Sequence, residues 1–151
     1  MNQYLQVFLK GIQKQSSSRG KSFVVAFTAY SPGEGVSYVA QSFGLELSRR
    51  TGKRTLIADA GRLAEIDVMK YGEVSHYCFQ TEISNLWTLP AADETDEEIL
   101  EADENDVTYL QAYGSSPMEI IYNNLQTLRY VFDYILLDCP AMSVSDDVTF
   151  L

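Results

Sequence analysis

A glycine-rich loop between an apolar strand and an amphipathic helix is the feature of this sequence that most restricts its fold. Residues 22–30 (SFVVAFTAY) form a continuous apolar run, which is typical of a central parallel strand buried on both faces. The loop at 31–37 (SPGEGVS) follows at once, and residues 38–50 then carry apolar side chains at helical spacing. This order predicts an α/β domain built around a mainly parallel sheet.

The rest of the chain continues the alternation of strands and helices. Gly52 suits the end of the first helix, and Ser116 followed by Pro117 is a typical start for a later one, expected to reach about residue 131. Short apolar runs predict further strands at 55–58, 85–89 and 134–138, and a short helix within 64–80 is expected to break at Tyr71-Gly72. We therefore expect a three-layer α/β fold in one domain over residues 1–151, in which an N-terminal helix (4–12) and a polar linker (13–21) precede the sheet.

The negative charge of the chain is concentrated in one segment. The formal net charge is −10, and residues 93–106 (DETDEEILEADEND) hold nine acidic residues and no basic one. The other residues carry twelve acidic and eleven basic side chains and are close to neutral. Such a block is usually a solvated face, and its alternative role is a docking surface for a basic partner. In both cases the acidity argues against nucleic acid or an anionic membrane as the main partner.

Several residue types carry no sign of a site of their own. Cys78 and Cys139 have no zinc or redox spacing, so we expect buried thiols in a reducing compartment. His76 is the only histidine and has no catalytic or metal-binding spacing, while Trp87 and the seven phenylalanines are expected in the core. No apolar run has the length of a membrane span, and the N-terminus lacks the apolar block of a signal peptide.

Three features fall at predicted strand ends, where doubly wound sheets bind ligands. The glycine loop follows the first strand, Asp59 ends the second, and Asp138 ends the strand at 134–138. In a phosphate-binding loop (P-loop), backbone N–H groups surround phosphates, a lysine neutralises them and a Ser or Thr holds Mg²⁺. Here Ser37 is present, but the lysine position is Val36, and the first glycine of the usual spacing falls on Tyr30.

The order of these motifs resembles the MinD and ParA group of P-loop ATPases. Within that group the sequence is most similar to the cytoplasmic tyrosine-kinase domain of bacterial capsule and exopolysaccharide export systems. That family has SxxPGEGKS, then strands ending in DxDxR and DxPP. The counterparts here are SPGEGVS at 31–37, DAGR at 59–62 and DCPA at 138–141, with weaker similarities at TGKRTLIAD, WTLPAA, SPMEII and SVSDD. The resemblance covers about residues 20–150.

The resemblance implies ATP or ADP with Mg²⁺ as ligands and assigns roles to matching positions. Ser37, Asp59 and Asp138 would hold or orient the metal, and Asp59 and Asp138 would also be the catalytic carboxylates, vestigial in an inactive protein. The nucleotide would be bound by six residues of the loop and the start of its helix: Gly33, Glu34, Gly35, Val36, Ser37 and Tyr38.

The departures from the family pattern weaken the predicted site. Val36 replaces the lysine, Gly61 replaces the second aspartate of DxDxR, and Ala141 replaces the second proline of DxPP. The N-terminal helix lacks the arginine that the family uses to pack against a neighbouring protomer, and no C-terminal tyrosine cluster is present. Electrostatic stabilisation is most of what a phosphoryl-transfer enzyme supplies, so these losses predict weak nucleotide binding or none.

Three functional alternatives remain open from the sequence. The first is a non-catalytic homologue of the export kinases, in which the glycines simply make a tight turn and the aspartates cap nearby backbone, or in which nucleotide binds weakly without turnover. The second is an active tyrosine kinase or ATPase that obtains its lysine from Lys21, from Lys53 or from a neighbouring protomer. The third, a ParA-like positioning ATPase, is weakened because neither Ser31 nor Val36 is a lysine.

The resemblance also sets expectations about partners and location. It implies a cytoplasmic protein that acts with a protein partner, such as a membrane-anchored polysaccharide export protein at the inner face of the membrane, without inserting into the bilayer itself. Relative to that family the sequence stops early, at Leu151. If the sheet ends there, it has an uncovered edge and we expect association with a partner or a second copy of the chain; this expectation fails if the sequence is a fragment of a longer protein. The alternative is that the N-terminal helix at 4–12 folds back over the sheet and closes the core.

Overall fold

The fold was obtained as a computed structural model, which describes residues 22–28, 35–92 and 116–139. The strands are β1 (Phe23–Phe27), β2 (Thr55–Asp59), β3 (Phe79–Gln80), β4 (Leu86–Leu89) and β5 (Tyr134–Asp138). The helices are α1 (Val36–Thr51), α2 (Ala60–Leu63), α3 (Val68–Tyr71) and α4 (Pro117–Leu128), with a 3₁₀ turn at Val74–His76. The predicted N-terminal helix and the acidic segment at 93–106 lie outside the described residues.

The strands form one sheet in the order β1–β5–β2–β4–β3. All neighbouring pairs are parallel except β3 with β4, which are antiparallel. The mainly parallel sheet predicted from the sequence is therefore confirmed. The prediction missed β3, because a strand of two residues leaves almost no pattern to detect.

Helices cover both faces of the sheet, as the three-layer prediction requires. On one face Phe43 and Leu47 of α1 pack with Ile57 of β2 and Leu136 of β5. On the other face Ile121, Leu125 and Leu128 of α4 pack against strand residues that alternate with Ile57 along β2 and with Leu136 along β5. These strand residues are Leu56, Ala58, Ile135 and Leu137. Successive side chains of a strand point to opposite faces, so β2 and β5 need apolar residues at almost every position.

The position of β1 differs from the prediction. The apolar run at 22–30 was expected to be a central strand buried on both faces, but β1 pairs only with β5 and is an edge strand of the described sheet. Ala26 is exposed, and the other β1 residues are half-buried. β5 takes the place between β1 and β2, so β5 is the buried central strand.

The end of α1, the start of α4 and the break after α3 lie where they were predicted, whereas α4 ends at Leu128, three residues before its predicted end. Gly52 has φ 66°, a left-handed conformation that favours glycine, and its N–H donates to the Ser48 carbonyl at 2.9 Å. At the start of α4 the Ser116 hydroxyl accepts a hydrogen bond from the Glu119 N–H at 3.2 Å. α3 ends before Gly72, where the sequence predicted the break.

The aromatic residues are less uniformly buried than expected. Phe43 and Phe132 are in the core, and Trp87 is partly buried against it with the Arg54 guanidinium 5.7 Å from its ring. Phe79, however, is 57% exposed, because β3 lies at the edge of the sheet. The prediction of a core position is therefore wrong for Phe79.

Close packing between α1 and the sheet depends on Gly44. A Cβ atom there would lie 2.7 Å from Ile57 Cδ1 and 2.9 Å from Ile57 Cγ1. We expect Gly44→Val to lower the free energy of unfolding by about 2 kcal/mol, because these atoms would have to move within a packed core. Chemical denaturation would measure this loss, with Gln41→Val on the exposed face of α1 as the control. Equal stability of the two variants would contradict close packing at Gly44.

None of the helices in the described part of the chain is both long and apolar enough to cross a membrane.

Candidate functional site

The carboxyl ends of β1, β5 and β2 bring two of the predicted site residues to the same level of the sheet. In the strand register Asp138 is paired with Phe27 on one side and with Asp59 on the other. Since α1 begins on this edge, the Ser37 hydroxyl reaches Asp138 and donates a hydrogen bond to its Oδ2 at 2.5 Å. Residues that are 101 positions apart in the sequence thus lie in direct contact.

Asp59 is held by the backbone of the short helix that follows it. Its Oδ2 accepts a hydrogen bond from the Arg62 N–H at 2.8 Å, so its carboxylate caps α2. Burial raises the pKa of Asp59 and the negative charge of Asp138 acts in the same direction, while N–H groups of Arg62 and Gly61 and the Arg62 charge oppose the shift. The stability that Asp59 contributes is therefore present at low pH and is lost as the pH rises through the raised pKa.

The three side chains suit a hard cation. A serine hydroxyl that donates to Asp138 still has lone pairs for a metal, and Mg²⁺ prefers oxygen ligands of this kind. A cation would also offset the cost of two neighbouring carboxylates, one of which has a raised pKa. Within residues 22–28, 35–92 and 116–139, no group of three or more His, Cys, Asp and Glu side chains could hold a metal ion. Two carboxylates and one hydroxyl would therefore leave most ligand positions to water and phosphate.

The phosphate side of the predicted site is weaker. Gly35 precedes α1 with φ 80° and ψ 26°, and its carbonyl accepts the first helical hydrogen bond, from Val39 at 3.0 Å. Among the described residues no side chain caps α1, so the N–H groups of its first turn and the helix dipole favour an anion. Val36 opens the helix and adds no charge, and Tyr38 is 74% exposed. Gly33 and Glu34 lie outside the described residues.

Gly61 and Arg62 follow Asp59 within α2. A Cβ atom at Gly61 would lie 3.1 Å from Asp59 Oδ2, so a side chain at this position would be placed beside the Asp59 carboxylate. Arg62 stands three residues after Asp59, whereas the arginine of DxDxR stands four residues after the first aspartate. Its side chain is buried, and its Nη1 lies 3.5 Å from Glu65 Oε2. When residues 59–63 are aligned with DxDxR, only the first aspartate, Asp59, matches the pattern.

Lys53 cannot supply the missing charge from within the same molecule. It precedes the amino end of β2, while Asp59 is at the carboxyl end. Six residues of extended chain separate the two positions by roughly 20 Å, which is beyond the reach of a lysine side chain. Lys21 lies outside the described residues, although Ser22, the next residue, also precedes the amino end of its strand.

Both cysteines are free and buried, which confirms the predicted burial of these thiols. Cys139 follows Asp138, and burial raises the pKa of its thiol to about 11, with smaller contributions from the charges of Asp138 and Asp59. Burial likewise raises the pKa of Cys78 to about 12. Both thiols are therefore protonated near neutral pH and are poor nucleophiles.

A cleft that no sequence pattern predicts lies beside the carboxyl end of β4. Its walls come from α2, the segment between α3 and β3, and the residues that follow β4, including Arg62, Tyr77 and Pro90. These residues are close neither in sequence nor in any regular pattern, so only the tertiary structure brings them together.

Comparison with solved structures identifies the fold. The VpsO kinase domain superimposes with a TM-score of 0.56 at 18% identity, over 96% of this chain and 73% of that domain. The kinase domain of the Escherichia coli tyrosine kinase ETK gives 0.52 at 15% identity, over 83% of this chain and 49% of its own length. The cobyrinic acid a,c-diamide synthase of Mycobacterium smegmatis, solved with an ATP analogue and magnesium, gives 0.56 at 18% identity, over 79% and 51%.

These similarities confirm, at the level of fold, the resemblance drawn from the sequence. The chain has the P-loop NTPase fold that bacterial tyrosine-kinase domains share with MinD/ParA-type ATPases. It spans about half the length of the ETK domain and of the synthase. No family model matches the sequence, and neither does any curated protein.

Proposed function

We propose that this domain is a non-catalytic relative of the exopolysaccharide-export tyrosine kinases, which binds nucleotide weakly or not at all and acts through protein contacts in polysaccharide assembly. The observation that carries the proposal is that, at the carboxyl ends of the strands, the candidate metal ligands are present while the position of the phosphate-binding lysine is occupied by valine. On the side proposed to hold the metal, Ser37 is hydrogen-bonded to Asp138, and Asp59 is the register partner of Asp138 on the neighbouring strand. The phosphate side has Val36 at the start of α1, where a cation is needed.

Charge is the physical reason why this difference abolishes catalysis. Phosphoryl transfer depends on cations placed against the phosphate oxygens, and a valine leaves those oxygens without a partner in a partly desolvated site. Gly61 removes a second charged group from the same edge. The carboxylates that remain already have local roles, because Asp59 caps α2 and Asp138 accepts from Ser37.

The sheet supports a role in protein contacts. The VpsO and ETK structures are kinase domains, and the fold is therefore compatible with the polysaccharide-linked family that the sequence resembles. β1 is an edge strand among the described strands, and an edge strand can pair with a partner or a second copy of the chain.

An active ATP-dependent tyrosine kinase or ATPase is the second candidate, and the preserved Ser37–Asp138 hydrogen bond favours it. This candidate needs a lysine or arginine from another protomer, since Lys53 lies before the amino end of β2 and the candidate site is at the carboxyl end. Its activity should therefore depend on protein concentration, as an assembled site would.

Calorimetric titration of ATP with Mg²⁺ into the purified protein tests the proposal. We expect a dissociation constant of about 1 mM or weaker, because a charge-assisted contact to phosphate is missing. Ser37→Ala is the control for residual binding, since it removes the hydroxyl that would ligate the metal and should abolish any heat that comes from this site. A micromolar dissociation constant for the natural sequence would contradict the proposal, and ATP turnover that rises with protein concentration would favour the second candidate.

A further inference from the structure

Basic residues are concentrated at the end of the sheet where its parallel strands begin. Four of them lie between the last turn of α1 and the start of β2, and a fifth lies between α4 and β5. We call these five residues the basic end: Arg49, Arg50, Lys53, Arg54 and Arg129. The described part of the chain has only two other basic residues, Arg62 and Lys70, and both lie between β2 and β3. One end of the domain therefore carries most of the positive charge of the described residues.

Hydrogen bonds between neighbouring segments hold the backbone of the basic end. The Asn85 side chain donates to the carbonyls of Ser48 at 2.9 Å and Lys53 at 2.8 Å. The Arg54 carbonyl accepts from the Asp133 N–H at 2.9 Å. All five basic residues are nevertheless exposed. Their charges are thus offered to solvent from an ordered backbone, which lowers the entropy cost of binding a partner.

The charges of the basic end are only partly neutralised by neighbouring side chains. Arg50 forms an ion pair with Glu46 at 3.3 Å, whereas Arg49 and Lys53 form no ion pair within the described residues. The described acidic residues at this end of the sheet are Glu46, Glu82 and Asp133. Five basic against three acidic residues leave a net positive surface on a chain whose net charge is −10.

An exposed aromatic ring lies at the same end of the sheet. Tyr130 directly follows Arg129 and is 93% exposed. The Arg54 guanidinium lies 5.7 Å from the Trp87 ring and 5.4 Å from the Phe132 ring. Tyrosine and arginine are enriched among the residues that contribute most to binding in protein interfaces. The basic end therefore has the composition of a protein-binding surface.

The acidic segment at 93–106 is attached at the opposite end of the domain. It follows β4, whose carboxyl end lies on the same side of the sheet as Asp59 and Asp138. To reach the basic end of its own molecule, the segment would have to run back along the sheet for roughly 20 Å, or about six extended residues. Its first six residues hold five of its nine acidic side chains. The basic end of a second copy of the chain can instead meet the whole segment.

We propose that the basic end binds the acidic segment 93–106 of a second copy of the chain, so that copies associate head to tail. The argument is charge complementarity, because a net positive surface and a block of nine acidic residues belong to opposite ends of one chain. A contact between two unlike surfaces leaves one of each free, so it continues into a ring or a filament. This inference goes beyond the proposed function, which names neither the surface nor its occupant.

The first test is an NMR titration of the ¹⁵N-labelled chain with a synthetic peptide of residues 93–106. We expect amide shifts at residues 49–54 and 129–133, and an affinity that falls at least tenfold between about 50 mM and about 500 mM salt, because exposed charges are screened. The control peptide has every Asp replaced by Asn and every Glu by Gln, and it should not bind. Equal binding of the two peptides, or no shifts at the basic end, would overturn the proposal.

Variants at exposed positions assign the binding to the basic end. Arg49→Gln and Lys53→Gln should each weaken the peptide about two- to fivefold, as expected for one exposed ion pair. Tyr130→Ser should weaken it severalfold if the ring contributes to the contact. Gln41→Glu changes the net charge by the same one unit at an exposed position of α1 and should have less than a twofold effect. Equal effects of Gln41→Glu and Lys53→Gln would contradict a local site.

Sedimentation of the full chain tests whether a second copy is the occupant. The average mass should rise with protein concentration, and the double variant Arg49→Gln with Lys53→Gln should shift this rise to about tenfold higher concentration. A monomer at every concentration, or association that the double variant leaves unchanged, would overturn the second copy as occupant. Binding to phosphatidylserine vesicles that the double variant abolishes, without peptide shifts, would assign the basic end to a membrane surface instead.

Discussion

Replacing Asn124 by alanine is expected to destabilise the domain by about 3 kcal/mol. Asn124 lies on α4, is only 3% exposed, and uses its amide for three hydrogen bonds to the backbone. Its Nδ2 donates to the carbonyls of Leu63 at 2.7 Å and Ile66 at 2.8 Å, and its Oδ1 accepts from the Val68 N–H at 3.2 Å. A buried polar group that loses its partner costs about 1–3 kcal/mol, and alanine would leave three such groups.

The consequences of this change should extend to the candidate site. The backbone that Asn124 holds joins α2 to α3, and α2 carries Gly61 and Arg62. Loss of the amide should therefore loosen both the Asp59 cap and the cleft wall. Urea denaturation followed by circular dichroism would measure the change in the free energy of unfolding.

Asn123 provides a matched control for this experiment. It is the preceding residue of the same helix, has the same side chain and is exposed. Asn123→Ala should change the stability by less than about 0.5 kcal/mol, as surface substitutions usually do. Similar losses in the two variants would show that the hydrogen bonds of Asn124 are not the cause.

Restoring the lysine alone is expected to improve nucleotide binding without creating a kinase. A charge-assisted hydrogen bond to phosphate is worth about 1.5–3 kcal/mol, so Val36→Lys should tighten ATP·Mg²⁺ binding by about 10- to 100-fold. Gly61 would still leave the site without its second carboxylate. We therefore expect no autophosphorylation above background by phosphotyrosine immunoblotting, and robust activity of the single variant would show that the role of Gly61 is overestimated.

Gln41→Lys is the control for the added charge. It gives the protein the same net charge further along α1, at an exposed side chain outside the predicted site. The tighter binding should be specific to position 36. A similar gain from Gln41→Lys would indicate a general electrostatic attraction rather than a restored contact.

The double variant Val36→Lys with Gly61→Asp is the stronger test of rescue. The Cβ at position 61 would lie 3.1 Å from Asp59 Oδ2, so a carboxylate there adds charge beside a group whose pKa is already raised. The double variant should therefore be less stable than the single one without Mg²⁺ and should recover when Mg²⁺ is added. A melting temperature that does not respond to Mg²⁺ would contradict a metal site at this edge of the sheet.

Local sequence patterns were sufficient to predict the fold class and the main helices and strands. The apolar runs at 55–58 and 134–138 and the helix signals at Gly52 and Ser116 depend on local patterns, namely the burial period of strands and the backbone requirements of helix ends. The motif order was also sufficient to predict the kinase and ATPase folds that the solved structures then identified. Lys53 was excluded as the source of the missing positive charge on one additional fact. The amino and carboxyl ends of β2 lie at opposite ends of the sheet.

The central position of β5, the hydrogen bonds between distant side chains and the location of the cleft depend on contacts between segments that are far apart in the sequence. β5 separates β1 from β2 because strand order depends on packing between distant segments, which the strand sequences do not encode locally. The Ser37–Asp138 hydrogen bond and the three bonds of Asn124 likewise join residues that are far apart in the chain. The cleft formed by Arg62, Tyr77 and Phe79 has no periodic pattern, since irregular segments are placed by the surfaces on which they pack.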